Sequence, residues 1–256
     1  MAAVQGLRVT ILGCGTSGGV PRADGEWGVC DPNEPRNRRR RASILVQSAE
    51  TNLIVDTAPD LREQCLDAGL KRIDGVLYTH AHADHIMGID DLRAFMLRQR
   101  QAIEVYADAA TLGVLTDRFD YVFAGAHGYP AICEPHVIEG PFAVGDLEVT
   151  SFQQLHGGMK TLGFRFGSVA YSTDVNELPE DSKAALRDLD VWIVDCLRPE
   201  PHWTHAHLDL TLSWIEELKP RRAILTHMTW EFDYHDLKAR LPAHVEPAYD
   251  GMVIEL

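Results

Sequence analysis

Short runs of β-branched and other apolar residues recur along the chain, bounded by glycine, proline, asparagine and aspartate, and each reads as a strand. Leu7–Leu12 is the first of them. Ser43–Gln47 and Asn52–Thr57 pair as a hairpin, and the run Asp74-Gly-Val-Leu-Tyr-Thr79 predicts a buried strand that ends at His80. Further strands are expected at Ile103–Ala107, Leu147–Phe152, Leu162–Phe166, Ser168–Ser172, Val191–Asp195 and Arg222–Thr226, with Met252–Leu256 closing the chain. Helical spacing interrupts this series. Asp60 to Gly69 reads as a short helix with Asp60 as cap, Glu63 completing a capping box and Gly69 as the stop. Ile86 to Arg100 places Ile89, Leu92, Phe95 and Met96 on one apolar face. Thr111 to Pro135 mixes helix with the aromatic residues Phe119, Tyr121, Phe123 and Tyr129, which pack or form a flap. A helix is expected over about Glu180–Leu189, and another over Leu210–Leu218, capped by Asp209 and stopped by Pro220. Strands broken by a few helices, twice over and without linker or repeat, predict two sheets with helices outside in one domain, residues 1–256.

Chemistry enters at the end of the strand before His80. His80, His82, Asp84 and His85 fall within six positions. Three imidazoles and a carboxylate so close together are costly to bury without a partner, and borderline divalent cations take these ligands. Other chemistry-bearing residues stand at strand or helix ends, where loops converge on a common edge. His156 follows the run ending at Phe152, Asp174 follows Ala170–Thr173, and His227 follows Ala223–Thr226. His207 precedes the helix that begins at Asp209. Any one of these is unremarkable by itself. Together they describe a metal site.

Charge and composition narrow the partners. A formal charge of −14 disfavours long nucleic acids, which are bound by clustered Lys and Arg, but leaves room for a nucleotide-like substrate beside metal ions. Against that acidity stands a basic knot, Arg36 and Arg38 to Arg41, from which Arg39 and Arg40 are candidate phosphate contacts. The glycine-rich stretch Gly13-Cys-Gly-Thr-Ser-Gly-Gly-Val-Pro21 can bring backbone N–H groups near an anion or serve only as a turn; without a following helix it is no dinucleotide fingerprint. Five scattered cysteines argue for a reducing compartment, and no apolar run approaches the ~20 residues that span a bilayer. A cytoplasmic, membrane-free protein is expected, and homodimerisation is left open.

His80-x-His82-x-Asp84-His85, followed in order by His156, Asp174 and His227, resembles the metallo-β-lactamase-fold hydrolase superfamily. The resemblance implies an α/β (α+β) fold, a four-layer αββα sandwich with a site for two divalent ions, Zn or Mn, on its edge. It puts His80, His82 and His156 on one ion, Asp84, His85 and His227 on the other, Asp174 between them, and Asp56 behind a ligand as an orienting residue. Two such ions about 3.5–4 Å apart share a carboxylate and a hydroxide whose pKa falls towards neutrality. The Gly13–Pro21 stretch and Trp27-Gly-Val-Cys30-Asp resemble the PhnP-like phosphodiesterase branch, related to tRNase Z. That branch's extra histidine corresponds to the segment His205-Ala-His207-Leu-Asp209, with His207 taken as the proton donor, His205 as the runner-up and His202 third. Asp84 is counted as catalytic as well as a ligand, and His205 also as a weak substrate contact. The N-terminal cysteine set that holds a structural zinc in the PhnP type is reduced here to Cys14 and Cys30, so that extra site is not expected.

The expected function is hydrolysis of a small cyclic or nucleotide-like phosphodiester through a metal-bridging hydroxide. A thioesterase, lactonase or β-lactamase on the same ligands, a short-oligonucleotide nuclease, and a non-catalytic metal or nucleotide binder are the alternatives.

Overall fold

Along β1 (Arg8–Gly13) the side chains alternate, Val9 and Ile11 to one face, Arg8, Thr10 and Leu12 to the other. That alternation, repeated in the neighbouring strands, sets the layering. A computed structural model describes residues 6–125 and 128–256. After β1 the chain forms β2 (Ser43–Gln47), β3 (Asn52–Val55), α1 (Leu61–Asp67), β4 (Gly75–Leu77), α2 (Ala83–Ile86), α3 (Leu92–Gln99), β5 (Ile103–Ala107), α4 (Ala109–Arg118), α5 (Asp120–Ala124) and β6 (Cys133–Val137). The second half follows as β7 (Phe142–Val144), β8 (Leu147–His156), β9 (Met159–Phe166), β10 (Val169–Ser172), α6 (Glu180–Lys183), β11 (Val191–Asp195), α7 (Leu208–Leu218), β12 (Arg222–Thr226), α8 (Tyr234–Arg240), β13 (Val245–Pro247) and β14 (Val253–Glu255).

The strands form two seven-stranded sheets, β14-β1-β2-β3-β4-β5-β6 and β13-β12-β11-β10-β9-β8-β7. In each, antiparallel pairs at one side give way to parallel pairs from β3 to β6 and from β10 to β13. Between the sheets, Val9, Ile11, Val46, Leu53 and Leu77 meet Phe164, Phe166, Tyr171 and Ile193 in one core, which α7 joins through Trp214, Ile215 and Leu218. A second core under α1, α3 and α4 covers the outer face of the first sheet, with Leu45, Ile54, Val76 and Val105 against Leu61, Leu92, Met96 and Leu115. This is the four-layer αββα sandwich. Each fully buried aliphatic side chain contributes about 1.5–3 kcal/mol, enough to offset one strained residue elsewhere.

Several expected boundaries move for physical reasons. The Ile86–Arg100 helix is broken into α2, a 3-10 turn at Ile89–Asp91, and α3, although Ile89, Leu92 and Met96 keep their buried face. Asp60 makes no capping bond; its Oδ2 accepts from the Arg41 backbone at 2.9 Å and pairs with the Arg41 guanidinium at 3.0 Å. Asp209 likewise lies inside the first turn of α7, whose cap position is His207. The strands around His156 run further than expected, because β8 and β9 close directly on each other from Thr150 to Met159. Phe119 and Phe123 pack against the second core, while Tyr121 and Tyr129 are exposed; residues 126 and 127 of that stretch lie outside the described set. Among the described residues no helix is long and apolar enough to cross a membrane.

Candidate metal centre

Both sheets deliver their strand ends to one edge. Asp56 follows β3, the His80–His85 loop follows β4, His156 closes β8, Asp174 follows β10, Asp195 closes β11, and His227 follows β12. Asp56, Asp174 and His227 have positive φ, 64°, 52° and 58°. Left-handed backbone at non-glycine residues costs about 1–3 kcal/mol and persists where surroundings over-determine it, commonly at functional sites. Here it turns each side chain off its strand and into the common space.

Three groups of ligand atoms form there, each within 4.8 Å: His80, His82, His156 with Asp174; Asp84, His85 with His227; and Asp174, His227 with His205. Asp174 lies between the histidines of the first two. Its Oδ1 is 3.8 Å from both His80 Nε2 and His156 Nε2, while its Oδ2 is 3.1 Å from His85 Nε2 and 3.3 Å from His227 Nε2. The buried Nε2 atoms of His80, His85 and His227 nonetheless make no aligned hydrogen bond. Buried nitrogens without partners are costly unless a ligand satisfies them. The donor set therefore fits a divalent metal ion.

Behind the ligands a second layer fixes ring orientation. Asp56 Oδ2 lies 2.7 Å from His85 Nδ1 and accepts from the Thr79 hydroxyl at 2.8 Å, while Oδ1 accepts from the Thr79 backbone N–H at 2.8 Å. Thr79 Oγ1 in turn lies 2.9 Å from His80 Nδ1. His156 Nδ1 is 2.7 Å from the Thr204 carbonyl, a close approach that Gly157 permits: a Cβ there would stand 2.4 Å from Thr204 Cγ2, and its φ is +59°. Thr79, Thr204 and Asp195 were not singled out from the sequence. Asp195 had a usable signal, since it ends a strand as Asp56 nearly does.

The electrostatics follow from this crowding. Burial opposes charge on His227, yet Asp174 and Asp84 prevail and raise its pKa to about 9. Burial likewise opposes charge on His85, and Asp174, Asp84 and Asp56 more than reverse it. Burial would raise the carboxyl pKa of Asp84 and of Asp174, but neighbouring imidazoles hold both well below the usual carboxylate range. Burial, helped by other histidines nearby, lowers the pKa of His80 and His156 against the opposing pull of Asp174. Asp56 is raised by burial, with His85 offsetting part of it.

Three expectations about single residues need correction. His205, not His207, joins the cluster: its Nε2 is 3.8 Å from Asp174 Oδ1 and its Nδ1 is 3.0 Å from Asp195 Oδ2. The reason is local. Ala206 is pinned on both sides, its N–H donating to the Val175 carbonyl and its carbonyl accepting from Leu197 N–H. The chain bends at His205 and turns into α7 after His207, which breaks the two-residue repeat that would otherwise put both histidines on one face. His207 takes the α7 cap position and belongs to no ligand group. Arg39 is 1% exposed, and its guanidinium donates to the Thr229 and Phe232 carbonyls at 3.0 and 2.7 Å, so it braces the C-terminal loop. Arg40 pairs with Asp67 at 2.7 Å and lines a cavity on the outer face of β1 and β2, away from the cluster. Arg41 is the member of the basic knot that shares a cleft with Asp84.

A sequence profile of the beta-lactamase superfamily domain matches residues 51–228, which contain every ligand candidate named above. Among solved structures, a diphosphatase of the PhnP family superposes with a TM-score of 0.92 at 36% identity, covering 98% of each chain. The chain belongs to the beta-lactamase superfamily, in its PhnP-family branch. An octanoyltransferase of Porphyromonas gingivalis is 32% identical over 96% of this chain and 51% of its own length. A ribonuclease Z of Bradyrhizobium diazoefficiens is 27% identical over 61% of this chain and 49% of its own. The chain thus spans about half the length of the curated relatives it matches. Fold, family and the His/Asp cluster together define a beta-lactamase superfamily domain whose cluster could hold a divalent metal.

Proposed function

We propose that this chain hydrolyses small phosphodiesters, cyclic or nucleotide-like, at a centre of two divalent ions, Zn or Mn. The observation that carries this reading is Asp174, whose two carboxylate oxygens face different ligand groups. His80, His82 and His156 would hold one ion; Asp84, His85 and His227 the other. When bound, such ions polarise the phosphoryl oxygens and supply the attacking hydroxide.

The chain's own residues do the rest. His205 reaches the same space, its Nε2 3.8 Å from Asp174 Oδ1, and Asp195 holds its Nδ1. That leaves Nε2 to carry a proton to the departing alkoxide, the role expected of His207 from the sequence. Buried Asp56 and Thr79 keep the rings of His85 and His80 fixed as substrate enters and leaves. In this reading residues 1–256 act as one hydrolase domain, and five free, buried cysteines support a reducing, cytoplasmic setting. Acyl transfer through a thiolate finds no support, because burial raises every cysteine thiol.

His205→Ala is the test. Metal content by elemental analysis should stay at the wild-type level while kcat on bis-para-nitrophenyl phosphate falls about 10²–10⁴-fold, the usual worth of a positioned acid. Unchanged turnover would remove His205 from the reaction, and wild-type protein that cleaves thioesters but no phosphodiester would overturn the substrate class. The 36% identical diphosphatase favours a second reading, a diphosphate linkage as the bond cut.

A further inference from the structure

The glycine-rich stretch and the basic knot meet at one place. A cleft with a volume of about 680 Å³ opens beside the cluster, lined by Ser17, Gly18, Arg22, Arg41, Ala83 and Asp84. Its floor is therefore a ligand candidate, and two of its walls carry guanidinium groups. The two stretches are locked together. The Gly15 N–H donates to the Arg40 carbonyl at 2.7 Å, and a Cβ at Gly15 would lie 2.9 Å from the Arg39 carbonyl, so only glycine lets the strands come this close. This contact sets Ser17 and Gly18 opposite Arg41.

Four features of the cleft favour an anion. First, among the described residues the backbone N–H groups of Ser17 and Gly18 find no acceptor, although those of Gly15, Thr16, Gly19 and Val20 all do. Consecutive free N–H groups in a turn form a concavity suited to phosphate oxygens. Second, the Ser17 hydroxyl adds a donor. Third, Arg41 is held by Asp60 at 3.0 Å, its side chain 27% exposed, which fixes the guanidinium while leaving other N–H groups of its five to donate. Fourth, Arg22 stacks over the Trp230 ring at 4.8 Å from the centroid and pairs with Asp24. Both arginines already have a carboxylate partner, Asp24 for Arg22 and Asp60 for Arg41, and Asp84 adds a third carboxylate to the lining, so the cleft has no net positive charge of its own without a ligand. Local donors, not a strong field, would select the occupant.

We infer that this cleft is a subsite for a second phosphoryl group of the substrate, adjacent to the one that is cut. The preferred substrate class then becomes the diphosphate diester, with one phosphoryl over the cluster and its neighbour held by Ser17, Gly18, Arg41 and Arg22. The inference rests on the phosphoryl-hydrolase reading above and deepens it. It also gives the glycine-rich stretch, which lies outside the 51–228 family match, a role in specificity.

The test compares two uncleaved probes on metal-loaded protein by calorimetry: the P1,P2-dimethyl ester of methylenediphosphonate and dimethyl phosphate. Wild type should bind the diphosphonate ester at least tenfold more tightly. Arg41→Gln should shrink that preference to under threefold at unchanged metal content. Because the Asp60–Arg41 pair is also structural, Arg22→Gln is the second variant, and it should lower the preference at least threefold. Equal binding of the two probes by wild type, or a full preference retained in both variants, overturns the subsite. If wild type prefers the diphosphonate ester yet cleaves no phosphodiester or diphosphate diester, the hydrolytic reading fails and the subsite stands.

Discussion

Each half of the molecule places one buried carboxylate behind the metal cluster, and the two do different work. Asp56, at the end of β3 in the first sheet, contacts His85 directly and reaches His80 through Thr79. Asp195, at the end of β11 in the second, holds His205, accepts from Val175 N–H at 3.0 Å, and comes only within 4.0 Å of His227 Nδ1. The first half also delivers four ligand candidates in one short loop. The second delivers His156, Asp174 and His227 singly, from three different strands. On the proposed reading, the first half holds the ions, while the second completes their coordination and adds the group that moves a proton.

Asp174 is where the two halves join, and its loss should have the largest effect. Asp174→Ala should lower metal affinity by more than the roughly 10–100-fold typical of residues one layer behind the ligands, measured by equilibrium dialysis. A protein that stays fully loaded would sever Asp174 from both groups. The pH dependence sharpens this. In the metal-free protein the raised imidazoles must give up protons before they can coordinate an ion. Below about 9 His227 is protonated, so wild-type metal affinity should climb as pH rises towards 9. Without Asp174, whose carboxylate favours that proton, the climb should end at a lower pH.

The two orienting carboxylates give the next pair. Asp56→Asn should weaken metal binding by about 10–100-fold while turnover at saturating metal changes only a few-fold. Asp195→Asn should keep its metal and lose kcat by about 10²–10⁴-fold, because the proton donor loses its orientation. Elemental analysis and saturation kinetics on both variants separate the cases. If both lose metal equally, the division of labour between the sheets is wrong.

How much of this could be read from the chain alone depends on sequence locality. His80 to His85 declare themselves because their spacing is the signal. Asp174 and His227 were found through strand ends, a pattern that survives the translation into three dimensions. Asp56 was assigned by resemblance, and its Oδ2 lies 2.7 Å from His85 Nδ1. Arg39 and Arg41 could not be told apart, because two residues apart in an extended run they share a face, and what separates them lies far along the chain: the Thr229 and Phe232 carbonyls that bury the Arg39 guanidinium. His205 and His207 carry the same ambiguity, and only the bend at His205, the bonds that pin Ala206 and the start of α7 resolve it.

That last pair yields the smallest expected effect and a clean control on the comparison. His207 caps α7 through backbone geometry, with φ −103° and ψ 170° and no side-chain bond to the helix. Its ring is half-buried and belongs to none of the three ligand groups. His207→Ala should therefore leave metal content unchanged and alter kcat by less than about threefold, well short of the 10²–10⁴-fold range of a positioned acid. Any helix destabilisation should stay within about 1 kcal/mol, since no capping hydrogen bond is lost. Thermal unfolding and steady-state kinetics on His205→Ala and His207→Ala, measured side by side, read out directly which histidine of that segment faces the reaction. A larger kinetic loss at His207 than at His205 would mean that His207, not His205, is the residue this segment presents to the substrate.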